Sequence, residues 1–240
     1  MDLRSTNREQ PLAYFRVRIV HSFDELITTP FEDGVNAVCW ERSLPGDFEE
    51  VVSRVGETEG ITTLDEARLN ALPLSAAGRA AVAVLIEDLQ RLRAHGLEPS
   101  LDCIAAYARC EDDTPVPTDV YSFHADSAPV PTDTYLCSYT VAASEGLRNE
   151  EARRFVDLPE IRAQLLKEFG GTDDESFVEY LNEQCYDLHY AAVPGAQPFS
   201  FGLGNLWRIA VSSPDSPVPP CIHRAPTTSP GQPPRLLLIS

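Results

Sequence analysis

The sequence predicts an α+β fold made of one domain, and three features indicate this class. Segments with the period of β-strands lie at both ends of the 240-residue chain. One long amphipathic helix follows the N-terminal strands. A helical stretch at 148–193 then interrupts a C-terminal half that is otherwise rich in strand signals, as an insertion between strands does.

Two strands and a short helix are predicted at the start of the chain. The first strand alternates apolar and polar side chains from Phe15 onward, which is typical of a strand with one buried face. A turn at Asp33-Gly34 separates it from the second strand. The three elements are expected at 12–20, 35–40 and 48–55.

The long helix is predicted at 76–95. Ser75 is a suitable N-cap, apolar side chains recur every three or four positions, and Gly96 supplies the residue that ends the helix. We expect this helix to pack along a sheet and to complete an N-terminal part that covers 12–110.

The C-terminal half is expected to build its core from residues 115–147 and 198–240. A small repeat, Pro-Val-Pro-Thr-Asp followed by Val-Tyr or Thr-Tyr, occurs at 115–121 and 129–135, and we interpret it as two similar turn-to-strand entries. The other elements predicted here are helices at 150–169 and 175–190, a hairpin at 198–211 with its turn at 202–205, and a closing strand at 235–239.

Composition excludes several classes of function. A net charge of −18 argues against binding to nucleic acid, which needs a basic face. No apolar run approaches the roughly 20 residues that span a bilayer, so no membrane partner is expected. Residues 1–10 have no apolar stretch of signal-peptide type, and the six cysteines occur singly without a Cys-x-x-Cys pair. We therefore expect a cytoplasmic protein with reduced thiols.

The residues that indicate a chemistry are His124, Asp126 and His223. His124 and Asp126 are two positions apart, so in extended backbone both side chains point to the same face. His223 lies in a strand signal near the C-terminus. Two imidazoles and one carboxylate can occupy one face of an octahedral Fe(II) and leave its other positions open. Arg235, twelve positions after His223, is a candidate for holding a carboxylate of a co-substrate.

Each of these residues also has an ordinary structural interpretation. The two histidines would then be buried or rim residues and Asp126 a turn residue. The order and spacing of the three favour a metal site. The remaining histidines are placed by the sequence in helical stretches, His95 and His189, and at a strand end, His21.

These motifs resemble the signature of the Fe(II)/2-oxoglutarate-dependent dioxygenase superfamily, whose core is a double-stranded β-helix. A bacterial family of unknown function related to that superfamily is more similar still. Its resemblance rests on Gly-Val-Asn-Ala-Val-Cys-Trp-Glu-Arg at 34–42, the His124 strand followed by Tyr-Leu-Cys-Ser-Tyr at 135–139, and the stretch 223–238. The similarity spans most of residues 30–240.

The resemblance implies a jelly-roll, cupin-like core with N-terminal helices on its flank and a helical insertion. It makes His124, Asp126 and His223 the Fe(II) ligands and Arg235 the partner of the C5 carboxylate of 2-oxoglutarate. Nickel or another divalent metal is also compatible with purified protein, since nickel binds such ligands more tightly than Fe(II). Tyr135 and Tyr139 are candidates for hydrogen bonds to the co-substrate, with core aromatic residues as the alternative.

The chain departs from the related family after Asp126. That family is expected to have an arginine soon after the aspartate and a Gly-Pro-Gly-Thr-like turn after the tyrosine strand. Here Asp126 is followed by Ser-Ala-Pro-Val-Pro, and the turn reads Ala-Ala-Ser-Glu-Gly at 142–146. The substrate, a small molecule or another partner, and the oligomeric state therefore stay open.

Three functions follow from these residues. The leading one is an oxygenase that hydroxylates a substrate with Fe(II), 2-oxoglutarate and oxygen. The second is a cupin-like metal or small-ligand binding protein without 2-oxoglutarate chemistry, and the direction of Arg235 distinguishes the two. Arg224 competes for the acid-binding role, but in extended backbone it points away from a metal held by His223. A hydrolase with Cys221 as nucleophile beside His223 is the third.

Overall fold

The computed structural model of the protein describes residues 14–56, 59–110, 114–227 and 231–240. The beginning of the first predicted strand, Leu12 and Ala13, lies outside these residues, as does the polar segment 1–10. Within them the chain forms a mixed α+β fold with two curled antiparallel sheets. The prediction of an α+β fold is therefore confirmed.

The strands are β1 Val17–Val20, β2 Ala37–Trp40, β3 Ile61–Thr63, β4 Ser100–Ile104, β5 Phe123–His124, β6 Asp133–Ser138, β7 Glu145–Leu147, β8 Ala152–Arg154, β9 His189–Ala192, β10 Phe199–Ser200, β11 Leu206–Ala210, β12 Ile222–Arg224 and β13 Arg235–Ile239. The helices are α1 Phe23–Thr28, α2 Phe48–Val55, α3 Glu66–Ala71, α4 Ala76–Ala94, α5 Pro159–Phe169 and α6 Glu175–Glu183, with short 3-10 helices at Asn149–Glu151, Phe155–Asp157 and Tyr186–Leu188. None of these described helices is both long and apolar enough to span a membrane.

In two parts of the chain, successive strands belong to opposite sheets. The seven-stranded sheet has the order β1-β2-β11-β6-β13-β4-β3, and the six-stranded sheet has the order β10-β7-β12-β5-β9-β8. All neighbours are antiparallel except β1 and β2. From β4 to β7, and again from β10 to β13, each successive strand lies in the opposite sheet. Residues far apart in sequence therefore become neighbours between the sheets.

The long helix α4 covers the outer face of the seven-stranded sheet. The side chain of Ser75 accepts a hydrogen bond from the backbone N–H of Gly78, and Gly96 follows the helix with φ of 77°. Leu85 and Leu89 on its inner face are fully buried in the core cluster that also contains Leu236 and Leu238 of β13. The predicted cap, stop and packing of this helix are confirmed.

Strand alternation divides β6 between two environments. Tyr135 and Cys137 point to the helix-covered core. Thr134 and Ser138 point the other way, into the space between the sheets, where they hydrogen-bond Asp126 and Arg235 respectively. This parity decides which side chains of β6 can take part in a site between the sheets.

The prediction of a hairpin at 198–211 is wrong, because its two strands do not pair with each other. β10 pairs with β7 in the six-stranded sheet, whereas β11 pairs with β2 and β6 in the seven-stranded sheet. The glycine-rich turn between them, with Gly202 and Gly204 at positive φ, therefore carries the chain from one sheet to the other. Alternating side chains identify a strand but not the partner with which it pairs.

The two helices predicted at 150–169 and 175–190 are shorter than expected. The first begins only at Pro159, because proline is accepted in the first turn of a helix and not in its interior. The second ends at Glu183, two residues before Cys185, which has φ of 57°. The residues released from these helices form β8 and β9, which pair with each other, and β9 also pairs with β5.

Candidate metal centre

Two neighbouring strands of the six-stranded sheet carry the predicted ligands. His124 of β5 is directly opposite His223 of β12, and Asp126 follows His124 by two residues. One ligand atom from each of the three side chains lies within 4.8 Å of the others. The structure thus brings together the three residues that the sequence predicts, although 97 positions separate Asp126 from His223.

Asp126 lies between the two imidazoles. Its Oδ1 is 3.9 Å from Nε2 of His124, and its Oδ2 is 3.8 Å from Nε2 of His223. The two imidazole rings have centroids 4.6 Å apart. With metal bonds of about 2.1 Å, two ligand atoms at right angles on one ion lie about 3.0 Å apart, so an ion bound by all three residues would draw their side chains together by roughly 1–2 Å.

Backbone carbonyls select the nitrogen that each histidine presents. Nδ1–H of His124 donates to the carbonyl oxygen of Ser122 at 2.8 Å, which leaves the lone pair on Nε2. Nδ1 of His223 faces the carbonyl oxygen of Cys221 at a longer 3.5 Å. This arrangement orients a metal-binding imidazole, since its second nitrogen is normally held by an acceptor.

The pKa shifts of this cluster favour a carboxylate beside neutral imidazole. Burial raises the pKa of Asp126, but His223, a hydrogen bond from Thr134 and His124 together lower it below its usual value. Burial lowers the pKa of His223 to about 4, although Asp126 opposes this change. At neutral pH these two groups are therefore in the protonation states in which they bind metals.

Arg235 lies at the other end of the same space, on β13. Its guanidinium is almost completely buried, with 2% of the residue exposed. The Nη atoms donate to the hydroxyl oxygens of Tyr107 at 3.1 Å, Ser138 at 2.7 Å and Ser144 at 2.6 Å. The buried Nε has no hydrogen-bond partner among the described residues, and no described carboxylate forms an ion pair with this arginine.

A cavity of about 270 Å³ connects Arg235 with the candidate ligands. Its apolar wall comes mostly from side chains of the seven-stranded sheet, such as Leu136 and Leu237. The polar side chains that line it include Asp102 and the three candidate ligands. Pockets for drug-sized ligands run from roughly 300 to 1,000 Å³. This cavity is therefore of a size for a small ligand that reaches from the arginine to a metal.

Tyr135 and Tyr139 are not part of this site, so their predicted contact with a co-substrate is corrected. Both belong to the core on the helix-covered face of the seven-stranded sheet. The hydroxyl of Tyr139 donates to Asp88 of α4 at 2.7 Å, and its ring stacks on Phe48. The even-numbered residues of β6 face the cavity, so Tyr135 points to the opposite face of the sheet. Tyr139, just after the strand, lies on that same face.

Arg224, which competes with Arg235 for the acid-binding role, already has a partner, and so does Arg208. Arg224 points away from the cavity, donates to Glu145 and lies over the ring of Phe123. Arg208 pairs with Asp133 and also donates to backbone carbonyls of the α1 region. Burial raises the pKa of Cys221, which argues against a thiolate nucleophile beside His223.

Sequence reasoning missed several residues of the site. His189 was placed in a helix, yet it lies on β9 directly opposite His124, with ring centroids 5.6 Å apart. Thr134 and Ser138 could have been found from strand parity, because polar side chains at alternate positions of an apolar strand indicate a polar site. Tyr107 and Ser144 come from loops, and no sequence pattern marks them.

Gly146 fixes the packing beside His223, and its replacement by alanine is expected to destabilise the protein. In β7 it is paired with both Phe199 and His223. A Cβ at this position would lie 2.2 Å from Cζ of Phe199, whose ring stacks on Phe201. We expect Gly146→Ala to lower the free energy of unfolding by about 1–3 kcal/mol, as overpacking typically does, in chemical denaturation.

The matched control adds Phe199→Leu, which removes the ring that meets the new methyl group. If the clash is the cause, the double variant Gly146→Ala/Phe199→Leu should lose less stability than the sum of the two single variants. An unchanged free energy of unfolding in Gly146→Ala would contradict this explanation.

The geometry of the site is the only basis for assigning a function. No protein-family model, no curated protein and no solved structure matches this chain. A fold by itself does not determine a reaction, so the function has to be argued from the side chains between the two sheets.

Proposed function

We propose that this protein is a non-haem Fe(II)- and 2-oxoglutarate-dependent oxygenase that hydroxylates a substrate not yet identified. One observation carries the proposal. A buried arginine that forms no ion pair with a carboxylate of the described residues faces the cavity lined by two histidines and an aspartate, whose ligand atoms lie within 4.8 Å of one another. The remaining support comes from the strand order, the donor set and the apolar walls of the cavity.

The strand order supports a double-stranded β-helix of jelly-roll type. Four strands of the seven-stranded sheet follow the order β4-β13-β6-β11, and four of the six-stranded sheet follow β10-β7-β12-β5. A chain whose successive strands alternate between two facing antiparallel sheets has the connectivity of a jelly roll. In this proposal β1, β2 and β3 extend one sheet, while β8 and β9 belong to the insertion and extend the other.

The donor set fits Fe(II). Two imidazole nitrogens and one carboxylate oxygen on one side of an ion form the facial triad of non-haem iron oxygenases, which leaves the opposite positions open. Together with 2-oxoglutarate and oxygen, bound Fe(II) supplies the oxidising power to hydroxylate an unactivated C–H bond. The chain itself fixes the direction of the imidazoles through the carbonyls of Ser122 and Cys221.

Arg235 fits the distal carboxylate of a dicarboxylic acid. A buried charge without a counterion is costly, and a guanidinium binds a carboxylate through two parallel hydrogen bonds. The hydroxyls of Tyr107, Ser138 and Ser144 hold this guanidinium in place, but they are neutral, and no carboxylate of the described residues lies within ion-pair distance of it. A bound carboxylate would complete the hydrogen bonding of Nε and neutralise the charge.

The apolar walls between Arg235 and the triad would limit the contact of a bound acid with water. Leu136 and Leu237 come from neighbouring strands and lie on the cavity side of the seven-stranded sheet. A low dielectric strengthens the pairing of a carboxylate with Arg235. The apolar wall also lies between the two polar ends of the cavity, so one end of the acid would pair with the arginine and the other would approach the candidate metal.

For the test, bound metal is first removed from the protein with a chelator, and the protein is then loaded with Fe(II) in the absence of oxygen. 2-Oxoglutarate is titrated into this anaerobic Fe(II) protein. Chelation by the 2-oxo acid is expected to produce a visible charge-transfer band that saturates. Succinate is the control, because it offers a carboxylate to Arg235 but has no 2-oxo group to chelate the metal.

Succinate should give no band and should compete with 2-oxoglutarate. Absence of both the band and binding at millimolar 2-oxoglutarate, in protein that holds Fe(II), would contradict the proposal. The cupin-like metal-binding protein would then be the better description.

A further inference from the structure

Three histidines form a row across three neighbouring strands of the six-stranded sheet. The register places His223 opposite His124 on one side and His189 opposite His124 on the other. The ring centroids of His124 lie 4.6 Å from those of His223 and 5.6 Å from those of His189. Directly paired residues point to the same face of a sheet, so His124 is flanked on both sides by imidazole rings.

His189 and His124 are also joined through Ser122. Nδ1 of His189 lies 3.2 Å from the hydroxyl oxygen of Ser122, and the carbonyl oxygen of the same serine accepts the Nδ1–H of His124. The backbone N–H of Ala125, between His124 and Asp126, donates to the carbonyl oxygen of Leu188. The backbone and a side chain at the start of β9 thus hold the segment that carries His124 and Asp126.

This support matters because β5 is only two residues long. A strand of that length has few hydrogen bonds of its own, so the position of its ligands depends on the two strands beside it. β12 lies on one side and supplies His223 itself. β9 lies on the other side and comes from the segment between β7 and β10. That segment contributes no residue to the triad or to the lining of the cavity.

We propose that His189 is a positioning residue for the metal centre. Through Ser122 it fixes the ring of His124 so that Nε2 faces Asp126, and the inserted segment is thereby part of the metal site. The inference rests on the proposed function, because it assumes that His124 binds a metal. His189 is not proposed as a ligand, since the group of side chains with mutually close ligand atoms does not include it.

The test uses Co(II) alone, which reports both affinity and coordination geometry through its visible absorption. His189→Phe keeps an aromatic ring but loses the contact with Ser122, and we expect Co(II) affinity to fall about 10- to 100-fold, as for other partners of metal ligands. The shape of the Co(II) spectrum should change as well. His189→Asn offers a polar atom near the former Nδ1 and should restore most of the affinity and the wild-type spectrum.

Ser122→Ala tests the same link from its other end. It should weaken Co(II) binding by a similar factor, and the double variant with His189→Phe should bind no more weakly than the weaker single variant. His21→Phe, a histidine exposed outside the row, is the matched control and should bind Co(II) as the wild type does.

Wild-type affinity and spectrum in both His189→Phe and Ser122→Ala would overturn the inference while leaving the metal site intact. If the wild type itself binds no Co(II), the proposed function fails and the positioning role fails with it. A variant that loses only apo-protein stability, with unchanged affinity and spectrum, would assign His189 to packing and would also overturn the inference.

Discussion

Replacing His124 or Asp126 by alanine is expected to abolish the binding of a divalent metal. Each change leaves two ligands, and Asp126→Ala also removes the carboxylate that faces both imidazoles. The wild type should bind one metal ion per chain, with nickel as an acceptable substitute for iron in purified protein. Elemental analysis of purified protein, together with titration of the stripped protein, measures the loss.

His95→Ala is the control for this experiment. His95 follows α4 and contacts Phe23, on the helix-covered side of the seven-stranded sheet. It should keep the wild-type metal content. Metal content that stays unchanged in both His124→Ala and Asp126→Ala would show that the ion binds elsewhere, and the triad would have to be abandoned.

Replacing Arg235 by alanine is expected to weaken 2-oxoglutarate binding strongly without changing metal content. Removing one partner of a buried charge pair costs about 3–5 kcal/mol, which corresponds to on the order of a hundredfold or more in affinity. Metal content should stay the same because the arginine is not a ligand. The charge-transfer band of the anaerobic Fe(II) protein, followed during titration, gives the dissociation constant.

Two further variants are compared with Arg235→Ala in this experiment. Arg235→Lys keeps a positive charge but loses the planar fork, so its affinity should lie between those of the wild type and Arg235→Ala. Arg224→Ala removes an arginine next to His223 that pairs with Glu145 outside the cavity, and it should bind 2-oxoglutarate as the wild type does. Wild-type affinity in Arg235→Ala would move the anchor to another residue.

Several elements could be predicted because their signals are local. The bounds of α2 and β13 agree with those expected from the sequence, and α4 begins at the expected residue. Caps, apolar periodicity and glycine stops act within a few residues, so one segment contains all the information that sets its ends. The predicted hairpin failed because it required knowledge of which strands pair across the whole chain.

The candidate site shows the same division. The spacing of His124 and Asp126 predicts that they share a face, since side chains alternate in any extended strand. Choosing Tyr135 and Tyr139 failed because alternation does not say which face of β6 points to the cavity. Helix α4 decides that, because its apolar face covers the odd-numbered residues of β6 and leaves Thr134 and Ser138 to the site.

The sequence by itself determined the chemical types at the candidate site, two imidazoles, a carboxylate and a guanidinium, together with the strands that carry His223 and Arg235. Only the tertiary structure decided that His223 is opposite His124, that His189 flanks it, and that the buried Arg235 has no hydrogen-bond partner for its Nε among the described residues. Strand pairing and burial arise from contacts between segments far apart in the chain. A register shift of one residue would reverse the faces of a strand, so no local pattern can fix them.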